Sequence, residues 1–249
     1  MHELMQESPI EKINKQFEII SKHKHLLNLK DCIDSKRTKN TISYYNDVVQ
    51  ENDKRSLKAQ KYFDSCKQYI AFFKFRSYQF LFNDYSLGRF FYQFDDKNCL
   101  LQSNLYWIPC PLNREYIKNI ECDELEVMDF IDQIEDDEKM ELDCISLRTP
   151  MRIDYTRNYN GRNLAHHPSW HLHYQNKDTR IKFRNVISLY GYFLFLLENC
   201  YPLFYMNQNE EKFINNLWTM EKDSRNWLKI ERNTVGMFGK DVHTNLIFD

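Results

Sequence analysis

The sequence predicts an α+β fold: an antiparallel, curved sheet flanked by helices, with a helical N-terminal lobe. Two changes of period carry that prediction. Apolar residues recur at helical spacing over residues 8–29, whereas from Arg76 to Ile108, and again from Arg152 to Arg184, they alternate with polar ones. A third observation is the apolar run from Val186 to Leu197, which falls well short of the roughly 20 residues that cross a bilayer and so belongs to a buried helix. No internal repeat and no flexible linker interrupts the 249 residues. One domain is therefore expected over 1–249, with residues 1–75 as the helical lobe, 76–202 as the sheet-containing core and 203–249 as a C-terminal helix and tail.

The first element places Ile10, Ile13, Phe17 and Ile20 on one face, with Ser8-Pro9 as N-cap and first-turn pair and Glu11 in the first turn. Asp31 to Asn40 is polar and serves as a connector, and Tyr44 to Ile70 resumes a mostly helical pattern. Tyr78, Phe80 and Phe82 then alternate. Arg89 to Phe94 and Leu100 to Ile108 flank the turn-prone Asp95-Asp96-Lys97-Asn98, which predicts an antiparallel hairpin. Pro109-Cys110-Pro111 ends it, because two prolines so close do not fit a central strand.

Residues 121 to 143 carry twelve acidic side chains against Lys139, a net charge of −11. Leu125, Met128, Ile131 and Ile134 recur among them, predicting an acidic amphipathic helix. Beyond two further strands and the apolar helix from about Val186 to Asn199, Tyr201-Pro202 forms a stop. Residues 209 to 228 predict a last helix with Phe213, Leu217, Met220 and Trp227 along its apolar side.

Thirty-four Lys and Arg against 36 Asp and Glu give a net charge of −2, so any nucleic-acid face must come from local segregation of charge. Seven cysteines without a C-x-x-C pair argue against a disulfide framework or zinc ribbon and for reduced thiols. The first residues have no cationic start followed by an apolar run, so a cytoplasmic protein without membrane attachment is expected. Phosphate-loop, dinucleotide and serine-hydrolase signatures are absent from the sequence, so any ATP energy would come from a partner.

The chemistry concentrates in residues 148 to 184, which hold four of the eight histidines and a net +6 before any imidazole protonates. In a strand, residues two apart share a face. Arg152 and Asp154 therefore project together, as do His171 and His173, and Arg180, Lys182 and Arg184, with apolar residues behind each set. The product is a sheet with one cationic, reactive face. Such a face suits phosphodiester chemistry without metal or other cofactor. His171 and His173 would act as acid and base, Arg152 would bind phosphate, and Asp154 would orient an imidazole. Arg148, His167, Arg180, Lys182, Arg184 and Trp170 are the expected substrate contacts, with the 156–170 connection folding over them.

Two other readings compete. The H-x-H pair with a carboxylate is similar to a two-histidine, one-carboxylate metal set, although the acid expected a few residues later is missing and Asp178 sits in an apparent turn. Alternatively, the polar groups form a buried network, with Asp154 paired to Arg152 or Arg180.

The succession Tyr106-Trp107-Ile108-Pro109-Cys110-Pro111, Arg152-Ile153-Asp154-Tyr155, His167-Pro168-Ser169-Trp170-His171-Leu172-His173, Arg180 and Tyr201-Pro202 resembles an uncharacterised bacterial domain-of-unknown-function family over about residues 76 to 202. Some members are encoded beside a helicase in anti-phage defence loci. The resemblance implies a cytosolic bacterial defence component with a helicase partner and no established reaction. Over the 152 to 173 strands alone, the chain is also similar to small bacterial toxins connected with RNA cleavage. The expected function is thus a nucleic-acid-processing, metal-independent, ribonuclease-like effector on RNA or DNA. The alternative is a non-catalytic helicase-associated or nucleic-acid-binding subunit with a structural histidine cluster.

Overall fold

The computed structural model describes residues 7–44, 65–112, 148–157, 170–174, 180–182, 187–201 and 208–228. Within them lie four α-helices, α1 (Pro9–Lys22), α2 (Ser65–Lys74), α3 (Leu189–Cys200) and α4 (Gln208–Trp227). Nine strands, β1 (Leu29–Cys32), β2 (Ser35–Arg37), β3 (Thr41–Tyr44), β4 (Phe80–Phe82), β5 (Leu87–Phe94), β6 (Leu100–Ile108), β7 (Met151–Thr156), β8 (Trp170–Tyr174) and β9 (Arg180–Lys182), form one sheet. Its order is β1-β4-β5-β6-β7-β8-β9, with β3 also on β5 and β2 on β3. Every pairing is antiparallel. The α+β class and the antiparallel sheet are as the sequence predicts.

α1 begins as expected: Ser8 accepts from the Glu11 backbone N–H, while the Glu11 carboxylate accepts from the Ser8 backbone N–H at 2.8 Å. This capping box satisfies two donors that an isolated helix start leaves unpaired. α1 stops at Lys22, however, and a short 3-10 turn (Lys24–Leu26) leads into β1. The polar connector at 31–40 accordingly contains strand: the second half of β1, then β2. Their charged residues conceal them, because short edge strands carry Lys, Arg and Asp without alternation.

The hairpin turn between β5 and β6 is built by Asp95. Its Oδ1 accepts from the backbone N–H of Lys97 and Cys99, at 2.9 and 2.8 Å. Its Oδ2 accepts from Arg157 Nη1 at 2.6 Å, which ties the turn to the end of β7.

Each face of the sheet is covered differently. On one, Phe80, Phe82, Phe90, Leu105, Trp107, Ile153 and Leu172 pack against α1, α3 and α4 in the main core. On the other, α2 covers the β4–β6 region with Tyr69, Ile70, Phe72 and Phe73 against Leu87, Tyr106 and Ile108. α3, apolar nearly all round, is buried from Leu189 to Leu197 except at Gly191 and Phe195, as the sequence predicts.

The buried start of α3 leaves its first N–H groups in need of acceptors. Leu189 N–H donates to Gln16 Oε1 of α1 at 3.1 Å, and Gly191 N–H donates to Ser188 Oγ and to Glu221 Oε2 of α4, at 3.3 and 3.2 Å. Gln16 Nε2 in turn donates to Ser224 Oγ at 2.6 Å. α4 turns the expected Leu217 into the core, with Phe213 and Trp227 packed against it, but its buried positions also include Ile214, Glu221 and Ser224, and Met220 is exposed. The acidic 121–143 segment lies outside the described residues.

Candidate functional site

The strand registers set the predicted positions in two rows across the sheet. One row runs Arg89 (β5), Tyr106 (β6), Arg152 (β7), His173 (β8), Arg180 (β9). The other runs Phe91, Asn104, Asp154, His171, Lys182 over the same strands. Alternation alone could place Arg152 with Asp154 and His171 with His173. Register is what sets Asp154 opposite His171 and Arg152 opposite His173, on the face turned away from the main core.

The side chains meet at one oxygen. Asp154 Oδ2 accepts from Arg152 Nε at 2.8 Å and stands 3.2 Å from His173 Nε2 and 3.9 Å from His171 Nε2. The two Nε2 atoms are 2.9 Å apart, with the rings nearly perpendicular at 76°. For this contact to be a hydrogen bond one Nε2 carries the hydrogen and the other accepts it. The other carboxylate oxygen, Oδ1, accepts from Asn104 Nδ2. His171 and His173 are buried, at 2% and 3% exposure, while the Asp154 side chain retains 19%.

Burial by itself would raise the Asp154 carboxyl. The Arg152 guanidinium, the hydrogen bond from His173 and the nearby charge of both imidazoles outweigh it and hold the group below the usual carboxylate range. Tyr106 is the opposite case: burial raises its phenol, with partial opposition from Arg152 and Arg89. Its hydroxyl donates to Gln68 Oε1 of α2 at 2.5 Å. Further along that row, Arg89 is enclosed between the Tyr44 and Phe72 rings, 3.7 Å from each centroid, and donates to Ser77 Oγ at 3.1 Å.

Arg152, Asp154, His171 and His173 thus form one cluster, and β9 brings the Arg180 and Lys182 backbone positions beside it. Two expected substrate contacts lie elsewhere. Trp170 alternates to the main-core face, is 6% exposed, and stacks on Tyr155 with centroids 4.4 Å apart, so it is a core residue. Arg148 forms an ion pair with Asp84 and donates to the Cys110 carbonyl at 3.3 Å. Tyr201 OH donates to the same carboxylate at 3.1 Å and accepts from Trp107 Nε1 at 3.1 Å, making this a structural tie between α3 and the sheet. Tyr174, at the end of β8, is 40% exposed. His167, Arg184 and Asp178 lie outside the described residues.

Asn104, which fixes the carboxylate, was beyond sequence reading. It is a half-buried polar residue on the face of the hairpin turned away from the main core, and only the β6–β7 register identifies its partner. The expected picture of acid and base on opposite sides of a phosphodiester is also altered, because the imidazoles contact one another with no room for a phosphate between their Nε2 atoms. What the arrangement offers is a single carboxylate–imidazole–imidazole unit beside an arginine, able to hold a proton or a cation.

No helix among the described residues is long and apolar enough to cross a membrane. No curated protein and no solved structure matches the chain. A family model matches residues 28–235, spanning every described strand and three of the four described helices, and the chain belongs to that family, DUF2290, described as an uncharacterized conserved protein.

Proposed function

We propose that the chain is a nucleic-acid-processing component of a bacterial anti-phage defence system, working in the cytoplasm with a helicase. Phosphodiester cleavage on RNA or DNA is assigned to Arg152, Asp154, His171 and His173. The observation that carries this reading is the pair of register rows, which sets a carboxylate–diimidazole unit between Arg152 and the β9 positions of Arg180 and Lys182. Arginine and lysine neutralise and position phosphate, and imidazole and carboxylate groups handle protons near neutral pH. Since the imidazoles touch, they act as one unit, with Asp154 fixing its orientation. The helicase partner and the defence setting rest on the family resemblance.

A second reading is favoured by one observation, the burial of both imidazoles. In it the chain binds a helicase or nucleic acid without cleaving, and the cluster is structural. Labelled single- and double-stranded RNA and DNA, incubated with the full chain with and without the helicase, decide between them. Cleavage lost in His171→Ala and His173→Ala, with circular dichroism unchanged, supports the enzyme. Cleavage unaltered by those substitutions refutes the assignment, and binding or copurification without cleavage supports the second reading.

A further inference from the structure

We propose that Asp154, His171 and His173 bind a first-row divalent transition-metal ion, zinc being the best fit, through Asp154 Oδ2, His171 Nε2 and His173 Nε2. The inference builds on the reading of this cluster as the chemical centre, but makes a claim that needs no nucleic acid to test. It also revises the metal-free route expected from the sequence.

The triangle of donor atoms carries the argument. Its sides are 2.9, 3.2 and 3.9 Å, and the point equidistant from all three corners lies about 2.0 Å from each. Zinc–nitrogen and zinc–carboxylate distances are about 2.0–2.2 Å, and three ligands of a tetrahedral site enclose a face of that size, with the ion slightly off its plane. Pairwise hydrogen bonds account for the 2.9 Å imidazole–imidazole side and the 3.2 Å His173–Asp154 side one at a time; a single ion accounts for all three sides together, the 3.9 Å His171–Asp154 side included.

Three further features agree. Two neutral imidazoles and a carboxylate favour zinc, cobalt, nickel or iron over magnesium and calcium, which prefer all-oxygen shells. The carboxylate is fixed from outside by Asn104 on Oδ1 and Arg152 on Oδ2, the kind of outer support that metal ligands require. All three ligands stand on adjacent paired strands, so the donor set is formed before any ion arrives. The partial exposure of Asp154 leaves a route for entry. Arg152 brings the charge of the ligand set plus its partner to zero, so the site binds more weakly than a bare His2Asp set would.

The test uses full-length, tag-free protein stripped with chelator and titrated with Co2+ and Zn2+. One equivalent is expected to bind, with visible Co2+ bands of low coordination number, and excess Mg2+ or Ca2+ should not displace it. His171→Ala, His173→Ala and Asp154→Asn should each weaken binding by at least about tenfold, the scale set by losing even a supporting group. Substitution of His23 and His25, outside the cluster, should change nothing. If an alanine variant fails to fold, X-ray absorption of the wild-type Co2+ complex decides, with two imidazole ligands expected. Failure of the folded wild-type chain to bind, equal binding by the cluster variants, or a ligand shell without two imidazoles overturns the proposal. Metal binding without cleavage would sink the nuclease reading alone, and chelator-resistant cleavage by a chain that binds no metal would sink this inference alone.

Discussion

Removing the Asp154 carboxylate tests how far the cluster holds the sheet together. In Asp154→Ala, Arg152 Nε, Asn104 Nδ2 and His173 Nε2 each lose an acceptor. Breaking a fully buried ion pair by deleting one partner costs about 3–5 kcal/mol. Here the Arg152 and Asp154 side chains keep 17% and 19% exposure, so water recovers part of that loss. About 2 kcal/mol is the expected destabilisation at neutral pH, or a fall of roughly 4–8 °C in melting temperature for a chain of this size. Asp154→Asn keeps the shape but not the charge and should cost about half as much. The pH dependence has a definite sign. Because the folded carboxyl lies below its unfolded value near 4, its contribution is complete above about pH 4 and is lost as pH falls through the folded pKa. The gap between wild type and variant should therefore shrink on acidification. Chemical denaturation in chelator at pH 7 and pH 3 measures it. A variant within about 0.5 kcal/mol of wild type at pH 7, or a gap that widens in acid, would refute the reasoning.

Two other substitutions probe the packing of α3. In Gly191→Ala the added methyl would lie 2.9 Å from Glu221 Oε1 and 3.2 Å from Ile187 Cγ2. Crowding of about 1–3 kcal/mol should exceed the roughly 1 kcal/mol gain in helix propensity, and a higher melting temperature would show the reverse. Burial raises the Glu221 carboxyl despite Ser188 and Arg225, so its favourable contribution is full below about pH 4.3 and declines as pH rises through the raised value. Glu221→Gln should remove that decline; melting curves at pH 5 and pH 8 that fall equally for both proteins would contradict it.

Periodicity made most of the framework legible. Alternation in 152–155 and 171–173 identified β7 and β8 with the correct faces, and the Asp95–Asn98 turn located the β5–β6 hairpin. What alternation lacks is phase between strands. It could put His171 and His173 on one face but could not give their distance from Asp154, nor show that Asn104 completes the carboxylate's shell. Arg148 and Trp170 were misplaced for related reasons. A guanidinium just outside a strand is free to reach across to Asp84, and a tryptophan adjacent to a histidine in a strand must face the other way. β1 and β2 stayed hidden because charged side chains suppress the apolar signal, and Met220 is exposed while its polar neighbour Glu221 is buried against α3, an inversion that apolar periodicity does not register.

The acceptors that cap α3 come from opposite ends of the described chain, Gln16 near its beginning and Glu221 near its end. During synthesis Gln16 and Ser188 are at hand once α3 emerges, but Glu221, the second acceptor of the Gly191 N–H, arrives only with α4. A nascent chain halted before residue 221 should accordingly leave the side of α3 that α4 covers open to chaperones, while Phe17 of α1 already packs on Phe80 and Phe90. Arrival of α4, rather than completion of the sheet, is then the event that closes the core.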